Sequence, residues 1–162
     1  VQHMPKGFTA SLASRLNDLS KVKVKEAAHG DVIEKGCVYI APGGSQMRIA
    51  KSGSLHKIVI TDEPARGGLK PCADIMYESL TESGFDDITC VVLTGMGADG
   101  AKGLLRMRQQ GARTLGQNKH SSVVYGMPRA AYELGSVEKQ LELSAMPMAI
   151  MHLAGHEGGC LH

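Results

Sequence analysis

The stretch Leu93-Thr94-Gly95-Met96-Gly97-Ala98-Asp99-Gly100 constrains this chain more than any other. It is a glycine-rich turn set between an apolar run and a helical one. The run before it, Ile88 to Leu93, is short and rich in β-branched residues, as a buried strand is. The run after it, Ala101 to Gln110, consists of good helix formers and sets Leu104, Leu105 and Met107 on one face. A strand, a tight glycine turn and a helix N-terminus direct backbone N–H groups at one spot, where negative charge can be held. One acid, Asp99, stands in that turn. The turn either cradles a phosphate or positions this carboxylate.

The length of 162 residues suits one domain, large enough to bury an α/β core without disulfides or metal. A formal charge of +2, well mixed along the chain, argues against a dedicated nucleic-acid binder, which concentrates Lys and Arg. With two Phe, four Tyr and no Trp there is no aromatic platform for stacking bases. No apolar run approaches the ~20 residues of a membrane span, and no secretory signal opens the chain. Cys37, Cys72, Cys90 and Cys160 are far apart, with no C-x-x-C, and Cys90 reads as a small core residue. A reducing, cytoplasmic setting is expected.

Along the chain, Phe8 to Leu19 reads as an amphipathic helix with Phe8, Leu12, Leu16 and Leu19 on one side, and Val22 to Lys25 alternates as a half-exposed strand. Cys37 to Ala41, Gln46 to Ala50 and His56 to Thr61 read as short strands, the last two joined by a hairpin turn at Ser52-Gly53-Ser54. Thr61 to Pro71 reads as an irregular loop and Ala73 to about Ser83 as a helix. After the glycine turn and its helix come a strand at Ala112 to Gln117 and a helix from Pro128 to Leu134, stopped by Gly135. An edge strand at Val137 to Leu143 and a last helix at Met146 to Ala154 complete the order. Helices alternating with buried strands predict an open parallel sheet covered on both faces, with the hairpin as an insertion.

Gly95 to Gly100 fits G-x-G-x-x-G, the dinucleotide fingerprint. That chemistry requires an acid about 20 residues on, at the end of the next strand, to bind the ribose. The next strand ends Gln117-Asn118-Lys119, and Asp99 would face an incoming pyrophosphate. A turn needed only for tight strand-to-helix packing is the plain alternative. The catalytic alternative places a carboxylate at the carboxyl end of a parallel strand, where it can orient a histidine that activates a hydroxyl. Among the histidines, His29, His56 and His120 read as ordinary surface residues. His152, His156, Cys160 and His162 have a spacing compatible with zinc, but in a Gly-rich terminal tail; no metal and no cofactor is expected. His3 stands before a turn at Met4-Pro5-Lys6-Gly7, and spacing alone leaves it undecided between a site residue and a vector remnant.

Gln2-His3-Met4-Pro5-Lys6-Gly7-Phe8-Thr9 resembles the QHMP-x-GFT segment of the chemotaxis protein-glutamate methylesterases, the CheB family. The resemblance continues through Tyr39-Ile40-Ala41-Pro42-Gly43, Leu93 to Ala101, Gly116-Gln117-Asn118 and Val123 to Ala131, in the family's order. It covers residues 2 to about 145, expected as the catalytic domain (1–145), with a terminal helix and tail (146–162). It implies a three-layer α/β/α fold with a mostly parallel, doubly wound sheet. It also implies hydrolysis of γ-glutamyl methyl esters on methyl-accepting chemoreceptors, with deamidation of receptor glutamines in many members. By position, His3 matches the catalytic histidine, Asp99 the acid that orients it, and Met96 the residue whose backbone N–H helps form the oxyanion hole.

The family's nucleophile is a serine in a G-x-S-x-G-G turn, on a strand and helix that precede the QHMP segment. The chain is expected to lack that strand and helix, and with them the serine and any upstream receiver domain. Ser11 and Ser14 fall in the first helix, and Ser121 and Ser122 in another family segment, so none replaces it. Members often carry Arg-Pro where this chain has Lys70-Pro71, which keeps the charge and loses a bidentate contact. Taken alone, the chain is expected to be nearly inactive, since no acyl-enzyme forms without the serine. It is also expected to be less stable than the whole domain, because a missing inner strand leaves unpaired edges. The alternatives are a non-catalytic receptor-binding or regulatory module, and a dinucleotide-binding domain through Gly95 to Gly100.

Overall fold

A computed structural model describes residues 1–155, which divide into two compact units, Val1–Gly84 and Phe85 onward. In the first unit, α1 (Phe8–Leu19) is followed by β1 (Lys23–Glu26) and β2 (Cys37–Ile40). These strands pair in parallel, Lys23 opposite Cys37 and Glu26 opposite Ile40. The hairpin of β3 (Gln46–Ser52) and β4 (Leu55–Thr61) is antiparallel and zips up to the pair Ser52–Leu55, so only Gly53 and Ser54 form the turn. The β1–β2 connection runs along β4: Gly30 N–H donates to the Ile58 carbonyl at 2.8 Å and Ile58 N–H to the Asp31 carbonyl at 2.8 Å. Ala27, Ala41, Met47, Ile49 and Ile58 form the core, flanked by Ile33, Tyr39, Ile60, Met76 and Leu80.

Two helices cover these strands. α2 (Ala73–Thr81) packs on β3, and the buried Ser79 hydroxyl accepts the Ile49 N–H at 2.8 Å. α1 packs on β1, but with a face rotated from the one expected. Thr9 and Ala13 are buried and Leu12 and Leu16 half-buried, whereas Phe8 and Leu19 are exposed. The set 9, 12, 13, 16 follows helical spacing, and small residues at 9 and 13 let the helix approach β1 closely. The Thr9 hydroxyl completes that approach by donating to Glu26 Oε1 of β1 at 2.5 Å.

The second unit holds β5 (Thr89–Val92), α3 (Ala101–Gln109), β6 (Arg113–Gln117), α4 (Met127–Glu133), β7 (Lys139–Leu141) and α5 (Met146–Leu153). Its strands are parallel in the order β5-β6-β7, with α3 and α4 packed on β6 and on each other. Cys90, Val92, Leu104, Met107, Leu115, Ala131 and Val137 are buried. Burial pushes the Cys90 thiol up to about 12, so it is a neutral core residue, as expected. The last strand is shorter than expected because Val137 packs sideways onto β6, its Cγ2 2.9 Å from where a Cβ on Gly116 would stand. Among the described residues no helix is long and apolar enough to cross a membrane.

Candidate active site

In the second unit the glycine turn leaves the carboxyl end of β5 and enters α3. Gly97 at φ 88° and Gly100 at φ 84° take left-handed conformations that side chains disfavour, which explains their place in the motif. Asp99 is half-buried between them, one residue before the helix cap. Met96 is 85% exposed, so its side chain contributes nothing to the core.

The turn is tied to the segment between β6 and α4. Gly95 pairs in parallel with Tyr125, extending the sheet by one bridge. The Gly95 N–H donates to the Val124 carbonyl at 3.0 Å, and the Gly95 carbonyl accepts from the N–H groups of Gly126 at 3.1 Å and Met127 at 2.8 Å. The Thr94 hydroxyl accepts the Val124 N–H at 2.9 Å. Behind this stands Gln117, the last residue of β6 and fully buried: its Oε1 accepts the Thr94 N–H at 2.8 Å and its Nε2 donates to the Ser121 carbonyl at 2.7 Å. The residue at the strand end where a dinucleotide site needs an acid is therefore a glutamine that holds the turn.

In the first unit His3 is half-buried in the segment before α1. Met4 N–H donates to the Gln2 carbonyl at 3.0 Å and Phe8 N–H to the Pro5 carbonyl at 3.2 Å, which shape the turn after it. Gly43 presses on that turn so closely that a Cβ there would lie 2.5 Å from the carbonyl oxygens of Met4 and Pro5. The Thr9 hydroxyl accepts the Gly43 N–H at 2.9 Å, fixing the approach. The Tyr39 to Gly43 motif and the Gln2 to Thr9 motif thus meet, and the first serves to place the second.

Other candidates have structural duties. Ser11 and Ser14 are exposed on α1. The Ser121 hydroxyl donates to Asn118 Oδ1 at 2.9 Å and accepts the Leu143 N–H at 3.0 Å, while the Ser122 hydroxyl donates to the Asn118 carbonyl at 2.7 Å. His29 and His120 are exposed. His56 departs from expectation: it is half-buried, and its Nε2 donates to the Ser83 carbonyl at 2.8 Å, tying β4 to the end of α2. The Lys70 ammonium donates to Asp62 Oδ1 at 2.6 Å, and the Lys70 carbonyl accepts the Gly44 N–H at 3.0 Å. His152 is exposed on α5, and the rest of the His- and Cys-bearing tail, His156, Cys160 and His162, lies outside the described residues. Sequence reasoning missed Gln46 and Gln117 as organisers. No local signal marks them, since β3 also carries Arg48 and Lys51 and β6 also carries Arg113 and Thr114.

The CheB methylesterase family model matches residues 1–150 of this chain. The chain belongs to the CheB methylesterase family. It is 47% identical over 155 residues to protein-glutamate methylesterase/protein-glutamine glutaminase 1 of Caulobacter vibrioides, covering 95% of this chain and 45% of that protein. It is 46% identical over 146 residues to the protein-glutamate methylesterase/protein-glutamine glutaminase of Photorhabdus laumondii, covering 90% of this chain and 42% of the relative. The chain thus spans under half the length of the curated relatives it matches. Among solved structures it is similar to the CheB methylesterase catalytic domain of Thermotoga maritima, with a TM-score of 0.90 and 33% identity over 94% of this chain and 80% of that one. The alternation of helices with mostly parallel strands is that of the CheB catalytic fold, in keeping with a three-layer α/β/α class.

Proposed function

We propose that this chain supplies the histidine and the aspartate of a Ser–His–Asp triad that hydrolyses γ-glutamyl methyl esters on methyl-accepting chemoreceptors. The observation that carries the proposal is the family match across residues 1–150, which takes in both the His3 segment and the Asp99 turn. The names of the relatives support an esterase that also acts as a glutaminase. The position of the Asp99 turn, at the carboxyl end of a parallel strand, supports a catalytic role for it.

In this proposal the serine lies outside residues 1–162. His3 takes the proton of its hydroxyl as the oxygen attacks the ester carbonyl, and Asp99 holds the imidazole tautomer and stabilises its charged form. The Met96 N–H donates to the tetrahedral oxyanion, an interaction of about 3 kcal/mol when one such donor is removed. Collapse breaks the C–O bond, His3 returns the proton, and methanol leaves. Water then attacks the acyl-enzyme with the same base, releasing glutamate. With a glutamine substrate the leaving group is ammonia and the remaining steps are unchanged. None of these steps calls for a metal or a cofactor. The cytoplasm is the proposed setting.

The test is methanol release from methylated receptor by the protein as its gene encodes it, beside its H3Q and D99N variants. D99N is expected to lower kcat about ten-thousandfold, the effect of neutralising the orienting acid of such a triad. Turnover of D99N within tenfold of the unsubstituted protein overturns the assignment of Asp99.

A further inference from the structure

The contacts around the glycine turn carry an inference that rests on the esterase proposal and goes past it. The Gly95 carbonyl and the Met96 N–H belong to one peptide unit. That unit is trans, the cis bond among the described residues being Lys70–Pro71. A planar trans peptide directs its C=O and N–H in opposite senses, so whatever holds the carbonyl also aims the N–H. Here the carbonyl is held by two donors, the N–H groups of Gly126 at 3.1 Å and Met127 at 2.8 Å. Hydrogen bonds accepted by a carbonyl also polarise its peptide, which strengthens the N–H on the far side as a donor.

We infer that the Gly126–Met127 segment aims the oxyanion-binding N–H of Met96, and that Gly126 is a positioning residue for the reaction. Space leaves no alternative to glycine there. A Cβ on Gly126 would lie 2.7 Å from the Gly95 oxygen, 3.1 Å from Gly97 N and 3.2 Å from Met96 Cα, all atoms of the turn itself. The backbone at Gly126 has φ −97° and ψ −70°, which any residue adopts, so the constraint is contact with the turn and not conformation. The segment cannot drift, because Thr94 holds Val124 through its hydroxyl at 2.9 Å and Gln117 holds Ser121 and Thr94 from below, at 2.7 Å and 2.8 Å. The turn and the segment therefore move as one body, and a shift in one misdirects the other.

The experiment compares G126A with the unsubstituted protein, as its gene encodes it, in methanol release from methylated receptor. The Met96 amide resonance is followed in parallel by NMR. The added methyl must push the Gly95–Met96 peptide aside, so kcat is expected to fall about 10- to 100-fold with KM within twofold, since a misdirected donor loses most of its effect on the oxyanion. The Met96 amide is expected to shift while amides of α5 do not. T94V keeps shape and removes the tie to Val124; it is expected to lower kcat by a smaller factor and serves where G126A does not fold. A fall confined to KM, or unchanged kcat with an unmoved Met96 amide, overturns the inference. Should the unsubstituted protein release no methanol, the esterase proposal fails, and the Met96 amide alone then decides the positioning: an unmoved resonance in G126A and T94V overturns it.

Discussion

Gln46 and Gln117 do matching work in the two units. Each is fully buried at the end of a strand, and each joins loop backbone that secondary structure leaves over. Gln46 Oε1 accepts the Cys72 N–H at 2.8 Å, and its Nε2 donates to the carbonyls of Pro64 and Leu69, both at 3.2 Å. A carboxamide suits this because one planar group offers donors and an acceptor together, without a charge to desolvate. Q46L keeps volume and apolar packing yet removes the buried bond to the Cys72 N–H and two part-buried bonds to the Pro64 and Leu69 carbonyls, so it is expected to destabilise by about 2 kcal/mol. Urea unfolding measures this, and a midpoint equal to that of the unsubstituted chain refutes the role. Neither glutamine announces itself in the sequence as an organiser, since each serves backbone groups 18 to 26 residues away.

The β3–β4 hairpin is anchored at its base by charge as well as by pairing. Arg48 of β3 donates from Nε to Glu63 Oε1 at 2.7 Å and from Nη2 to Glu63 Oε2 at 2.6 Å, a two-pronged contact with the loop that follows β4. The Thr61 hydroxyl adds a third donor to the same carboxylate at 2.8 Å. The Arg48 bonds and the Thr61 bond hold Glu63 down at about 2. Its pKa is thus lower in the folded chain than in the unfolded one. The stabilisation is present above the ordinary carboxylate range and is lost as pH falls from about 4.5 toward 2. Because the carboxylate is 36% exposed, solvent screening keeps the effect modest. Urea midpoints measured from pH 5 down to pH 2.5 are expected to fall more steeply for the unsubstituted chain than for E63Q; parallel curves exclude the anchor. At this level the sequence reading fared well. The hairpin, the α2 helix and the parallel pairing of the strands after it follow from alternation, glycine punctuation and helical spacing. The face of α1 did not, because Thr9 and Ala13 are chosen by a close approach to β1 and not by hydrophobicity.

The proposed triad calls on both His3 and Asp99, so activity is expected to need both residues together. Residues that act as one catalytic unit lose their effects together. The H3Q/D99N double variant is therefore expected to be no less active than H3Q alone, within a few fold. Additive losses, measured as kcat for methanol release, separate the two residues into independent roles. The family was legible in the chain because its motifs, from Gln2 to Ala131, are local strings in a recognisable order. So were the strands and helices, whose periodicities are written in consecutive residues. What those strings do for one another was not legible. That Gly43 presses on the Met4–Pro5 turn, that Gly126 presses on the Gly95–Met96 peptide, and that Gln117 braces Thr94 are matters of close approach between segments 23 to 39 residues apart. Periodicity reports which side of an element faces inward, and motif order reports kinship. The distance between two backbones, and so the direction in which a peptide N–H points, exists only once the chain has packed.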